Sequence, residues 1–176
     1  SNFGCHDGPY HRWWQQPRHI ENARFSTMVT DGVHVLASGT SLDILGGFFE
    51  GGATGIGLIS GALSVDGATF TGQTSVGIQI DQTAAGGQTN IANTTFVPEF
   101  DGMAIYASSP FTLSSSSIVF EDTALGGPAL VNSQLTNNLI FGPDDGTILT
   151  HDAPQNLRFV NDVRRARGSP DLWRAA

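Results

Sequence analysis

Residues Val65–Ile80 read VDGATFTGQTSVGIQI, and the order of features in them recurs on both sides: an aliphatic residue, a Gly, a Phe, then a Gly–aliphatic pair. Anchors of the same kind occur at Ile20, Ile44, Val65, Ile91, Leu113 and Leu135. Two positions after each anchor stand Asn22, Gly46, Gly67, Asn93, Ser115 and Asn137, and five positions after stand Phe25, Phe49, Phe70, Phe96, Ile118 and Ile140. A third element follows at Gly32–Val33, Gly55–Ile56, Gly77–Ile78, Gly102–Met103, Gly127–Pro128 and Gly146–Thr147, each opening a short β-prone run. Successive anchors lie 24, 21, 26, 22 and 22 residues apart, with the variation in loops such as 83–88.

Repetition at this period marks a stacked architecture. Gly and Asn tolerate left-handed backbone angles, so a column of them predicts a bend that every turn of the chain makes at one place. Alternation around each bend points the aliphatic and Phe positions inward and their neighbours outward. Stacked in register, the turns form aliphatic and aromatic ladders inside a coil of parallel strands, in which each rung needs its neighbours. A sandwich has no reason to repeat its turn residue every 21 to 26 positions. The expected fold is therefore all-β: a single-domain right-handed parallel β-helix of about six rungs over 18–160, flanked by an N-terminal aromatic cap over 1–17 and a C-terminal cap over 161–176.

The pattern aliphatic-x-[Gly/Asn]-x-x-Phe followed by Gly-aliphatic-x-aliphatic resembles the right-handed parallel β-helix repeat of pectate lyases, polygalacturonases and viral tailspikes. That resemblance specifies fold and leaves function open, because enzymes, adhesins and virion proteins share it. At about 4.8 Å per rung, six rungs make a stub of about 30 Å. Enzymes of this fold usually carry more, which marks the chain as a small module or part of a larger assembly.

Composition narrows the partners. The formal net charge is −8, and all eight basic residues are arginine, none of them between Arg24 and Arg158. A groove that follows phosphates needs a basic stripe, so nucleic-acid binding through the body is not expected. No apolar run approaches the ~20 residues of a membrane span, so membrane insertion is not expected either. Cys5 has no second cysteine to pair with, and no secretion signal is visible. The segment CHDGPYH (5–11) matches no zinc signature, and no metal or cofactor is expected.

Two ends depart from the repeat. The segment SNFGCHDGPYHRWWQQPRH reads as a cap over the first rung, or as a partner-docking arm with Trp13 and Trp14 as anchors. At the other end Leu157 begins a seventh, incomplete rung, and a short capping helix is expected over Val163–Arg167, ended by Gly168 and Pro170. Arg164 and Arg165 there form a solvated face or grip an acidic partner.

For chemistry, the inventory disfavours a β-elimination, which wants a basic residue beside bound calcium. Hydrolysis needs only carboxylates. Asp43 precedes its anchor and Asp66 follows the next, so both face outward, about 8 Å apart, a separation that suits an inverting pair. Glu50, just after Phe49, is read on the same side. Asp144 and Asp145 sit in GPDDG, a turn composition. The column preceding the anchors, His19, Asp43, Ser64, Asn90, Thr112, Gln134 and Asn156, is small and polar, suited to weak glycan binding through Asp43, Asp66 and Asn90. Phe48, Val97, Val119 and Leu139 flank inward positions and are expected outside, where an oligomer would bury them.

The leading expectation is a non-enzymatic virion structural protein, similar to a phage tailspike, fibre or capsid-decoration module, located on the virion surface or extracellular, and contacting host glycans. A homotrimer follows from the resemblance, with the N-terminal arm docking on the larger particle. The alternatives are a polysaccharide hydrolase or lyase acting through Asp43, Asp66 and Glu50, and a bacterial surface adhesin or glycan-binding domain.

Overall fold

The computed structural model describes residues 18–167 apart from 29, 36–40, 82–86, 100–101, 129, 131, 144–146 and 150–157. Trp13 and Trp14, Asp144 and Asp145, and Asn156 and Leu157 lie outside the described residues. Those described form parallel strands and no helix, arranged as a β-solenoid.

The first turn consists of β1 (Arg18–Glu21), β2 (Arg24–Met28) and β3 (Asp31–Val35). The second is β4 (Ser41–Leu45), β5 (Phe48–Gly51) and β6 (Thr54–Leu58), and the third β7 (Ala62–Asp66), β8 (Thr69–Thr71) and β9 (Val76–Ile80). Then come β10 (Thr89–Ala92), β11 (Thr95–Val97) and β12 (Met103–Ala107), followed by β13 (Thr112–Ser114), β14 (Ser117–Val119) and β15 (Thr123–Gly126). A sixth set is β16 (Gln134–Thr136), β17 (Leu139–Pro143) and β18 (Thr147–Leu149), and the described residues close with β19 (Arg158–Val160) and β20 (Val163–Arg167). Every third strand pairs, which gives a first sheet β1-β4-β7-β10-β13-β16-β19, a second sheet β2-β5-β8-β11-β14-β17-β20, and a third sheet of six strands from β3 to β18.

The bends fall where the repeat puts them. Asn22, Gly46, Gly67, Asn93, Ser115 and Asn137 all have positive φ, between 48° and 76°, and so does Asn161 (57°) in the last turn. Each bend amide donates to the next turn, as from Asn93 N to Ser114 O (3.0 Å) and from Ser115 N to Thr136 O (3.0 Å). The anchors stack in register, Ile20 on Ile44 on Val65 on Ile91 on Leu113 on Leu135. The fifth positions form a second column in which Phe25, Phe49, Phe70 and Phe96 are stacked face to face, with centroids 4.8, 4.6 and 5.1 Å apart. Such pairs add about 0.5–1.5 kcal/mol each to what burial alone contributes. Ile118 and Ile140 continue the column.

The third element needs correction in its later copies. Gly55 and Gly77 pair with one another's neighbours as expected, but the residue in register with Ile78 is Ile105, and Ile105 pairs with Leu125 and Leu125 with Leu149. The repeat pair is thus Ala104–Ile105, Ala124–Leu125 and Ile148–Leu149, and not Gly102–Met103, Gly127–Pro128 or Gly146–Thr147. The cause is steric. A Cβ on Gly55 would lie 2.6 Å from the Gly77 carbonyl oxygen and 2.7 Å from a ring carbon of Phe70, and one on Gly77 2.7 Å from the Ala104 carbonyl oxygen and 2.9 Å from a ring carbon of Phe96. Where the following turn carries Ile118 or Ile140 instead of Phe, the position is Ala. Gly102 and Gly127 face no Phe ring: a Cβ there would run into the carbonyl oxygens of Gln73 and Ala107.

The last turn also differs from expectation. Its anchor is Phe159, in register with Leu135, and not Leu157. Val163–Arg167 is a strand paired along its length with β17 and not a helix, because the exposed edge of β17 offers five backbone partners to a segment that, as a helix, would have only one turn of its own.

Two polar groups of contacts hold the corners. Gln73 is fully buried and its Nε2 donates to Phe49 O (3.0 Å), Gly51 O (3.2 Å) and Thr71 O (3.1 Å). In the later turns the residue after the bend is polar and answers the amide one turn back. Ser116 Oγ accepts from Thr94 N (3.1 Å), Asn138 Oδ1 from Ser116 N (2.9 Å) and Asp162 Oδ1 from Asn138 N (2.8 Å). Thr94, Ser116 and Asn138 are all buried, so these bonds replace water that cannot reach the amides.

Candidate functional site

The outer face of the first sheet carries the polar column. His19 pairs in register with Asp43, Asp43 with Ser64, Ser64 with Asn90, Asn90 with Thr112 and Thr112 with Gln134. The seventh member is Arg158, not Asn156, as the shifted anchor requires. Asp66 stands in register with Leu45, two residues along from Asp43 and on the same outward side. Thr112 Oγ1 donates to Asn90 Oδ1 (2.8 Å), and Asn93 Nδ2 donates to Asp66 Oδ1 (2.7 Å). Asp43, Asp66 and Asn90 thus share one face, laced along the coil by bonds between neighbouring turns.

Glu50 is elsewhere. It belongs to β5 in the second sheet, beyond the bend at Gly46, and accepts from Arg24 Nη2 at 3.0 Å. Arg24 also lies over the ring of Phe48, 5.1 Å from its centroid. The fold therefore does not bring Glu50 to the aspartates, and its carboxylate already has a cation.

The second sheet turns a different chemistry outward. Val97, Val119, Leu139 and Val163 are 38–46% exposed, while Phe96, Ile118 and Ile140 beside them are fully sealed. Phe48, half-buried, lies on the same side nearer the start of the chain. Val163 is not among the residues that the sequence places outward, because the helix expected over Val163–Arg167 hides its alternation. A shallow recess among Val119, Phe120, Glu121, Phe141, Gly142 and Pro143 interrupts the stripe. Arg164 and Arg165 lie in β20, in register with Ile140 and Phe141.

On the third sheet, one register row reads His34, Gly57, Gln79, Tyr106 and Gly126. Gln79 Nε2 and Ser108 Oγ both donate to Asp81, the latter at 3.4 Å. The sequence signal for this row is the middle residue of each run after the third element (VHV, IGL, IQI, IYA), which alternation places outside. Among the described residues no group of three or more His, Cys, Asp or Glu is placed to hold a metal ion. Comparison with known protein families, with curated proteins and with solved structures returns no match to this chain.

Proposed function

We propose that the chain is a non-enzymatic structural module, a stiff short coil that works by surface contact within a larger assembly on the outside of a virus particle. The observation that carries this reading is the set of exposed aliphatic residues on the second sheet, Val97 and Val119 in one register row and Leu139 and Val163 in the row two residues before it. Apolar side chains in two adjacent rows of one sheet present a patch that excludes water, and association is the ordinary way to remove it from solvent. The sealed interior and turn-to-turn bonding supply the stiffness such a spacer needs.

The rival reading, polysaccharide cleavage, loses one of its three acids to Arg24 and has Asp66 engaged with Asn93. The polar face of Asp43, Asp66 and Asn90 remains as a surface for host glycans, with hydroxyl-bearing ligands bonding to its outward carboxylates and amides.

Sedimentation velocity of the full chain over a wide concentration range tests the proposal. Self-association that a Val119→Thr, Leu139→Thr double variant abolishes is expected. Release of reducing ends or unsaturated products from neutral or acidic polysaccharides, lost on Asp66→Asn, would replace this reading with the enzymatic one.

A further inference from the structure

Arg164, Arg165 and Arg167 gather three of the eight basic residues of a lysine-free chain into four positions, RRAR, followed by Gly168. Arg164 and Arg167 are the one pair of basic residues three apart in the sequence. All four positions belong to β20, whose backbone is extended and which, among the described residues, pairs with β17 alone.

β20 is also the strand of its sheet with the weakest hold on the interior. The core column of the second sheet runs Phe25, Phe49, Phe70, Phe96, Ile118 and Ile140, and the residue in register with Ile140 is Arg164. An arginine brings a charge to that position in place of the apolar burial that fixes every earlier strand of the sheet. The next position of the same alternation, Ala166, stands in register with Gly142. β19 differs, since its anchor Phe159 packs against the core. The pairing with β17 reaches Arg167 at Pro143, which has no N–H to give to the ladder. A strand with one neighbour and no apolar residue in the core column is the first of its sheet to open.

Endoproteases take their substrates as extended segments, held as an added strand is held at a sheet edge. Carboxylates in their subsites select guanidinium groups through paired, charge-assisted hydrogen bonds. We propose that the Arg167–Gly168 bond is a processing site for a serine endoprotease that reads arginine at the residue before the cut and at the residue three earlier. The reaction is a hydrolysis. The C–N bond between Arg167 and Gly168 breaks, and water supplies the hydroxyl of the new carboxyl group at Arg167 and a proton to the new amine at Gly168, with no change of oxidation state. Cleavage leaves β20 on the fragment that carries the coil and frees the segment beginning Gly168-Ser169-Pro170.

The test exposes the folded full chain to a subtilisin-like proprotein convertase that requires arginine at both places, read by intact mass and N-terminal sequencing. A cut that gives a new terminus at Gly168 is expected, and Arg164→Gln should slow it by about a hundredfold by removing one of the two recognised charges. In a brief trypsin digest, cuts within 164–168 should precede those after Arg24 and Arg158. Arg164→Ile returns an apolar residue to the column and should slow trypsin cleavage after Arg167 by about tenfold relative to Arg164→Gln, because opening then exposes that side chain. Melting temperatures no lower than that of the unaltered chain establish that both variants fold. Absence of the Gly168 terminus after convertase treatment, or its appearance at full rate in Arg164→Gln, overturns the site. Trypsin cuts that come first after Arg24 or Arg158, or equal trypsin rates for Arg164→Ile and Arg164→Gln, overturn the open strand on which it depends.

Discussion

A Cβ placed on Gly55 would stand 2.7 Å from Cδ1 of Phe70 in the following turn and 2.6 Å from the carbonyl oxygen of Gly77. The size of one residue is thus limited by the backbone and by a side chain one turn ahead of it. Gly55 and Gly77 precede Phe70 and Phe96, whereas Ala104 and Ala124 precede Ile118 and Ile140.

This pairing predicts coupling. Gly55→Ala should cost about 1–3 kcal/mol by overpacking. Combined with Phe70→Ile it should cost less than the sum of the two single changes, by about 0.5–3 kcal/mol, as neighbours in contact do. Urea melts of the two single variants and the double variant measure the difference, and strict additivity would refute the steric rule.

The left-handed bends predict a different pattern. Ser115 has φ 50° and Asn137 φ 58°. Ser115→Gly removes the conflict between Cβ and backbone and should be neutral or stabilising by up to about 1 kcal/mol. Asn137→Ala should destabilise by about 1–2 kcal/mol, and Asn137→Gly much less. Thermal unfolding monitored at two wavelengths decides between these outcomes.

At the corner, Asn138 accepts from Ser116 N and donates to Leu113 O (2.9 Å) and to Asp162 Oδ1 (2.8 Å). Asn138→Leu fills the space but leaves the Ser116 amide buried without an acceptor, at a cost of about 2–4 kcal/mol. Hydrogen exchange should localise the loss, with the amides of β14, β17 and β20 exchanging faster and those of β5 and β8 unchanged.

Gln73 is read by its donors, since its amide nitrogen faces three carbonyls. Gln73→Glu would set a carboxylate among oxygens in a sealed site, which raises its pKa in the folded state. The sign follows directly: the loss of stability is complete above that folded-state pKa and shrinks as pH falls through it, because the neutral acid can donate where the anion cannot. Gln73→Met, which lacks the charge, should show no such recovery when unfolding free energies are compared at neutral and acidic pH.

The sequence displayed the coil plainly at its anchors and bends because both are local demands. A left-handed φ accepts few residue types, and an interior column between two parallel neighbours accepts only apolar ones. It was less legible wherever the reason for a residue lies in another turn. Gly102 and Gly127 imitate the third element while being fixed by the backbone of Gln73 and Ala107, and so drew the register two or three residues off. Val163–Arg167 has punctuation after it that reads as a helix stop, yet its conformation is decided by the open edge of β17. Alternation alone puts Asp43 and Asp66 on the outward side of their strands, two residues apart in register. Glu50 was assigned to their side because alternation tells inside from outside and says nothing about which of three sheets a residue occupies.

Asp162 carries the corner series on with a different chemistry. Every earlier corner residue in the series carries an oxygen for the turn behind it and a hydroxyl or amide hydrogen to give away; the carboxylate brings oxygens only, and spends them on Asn138 and on the Val160 amide at 3.0 Å. Extra copies of the 22-residue unit from Ser116 to Asn137 could accordingly be spliced in ahead of it to lengthen the coil, because each inserted corner brings both the oxygen that the turn behind it accepts from and the hydrogen that its own neighbours need.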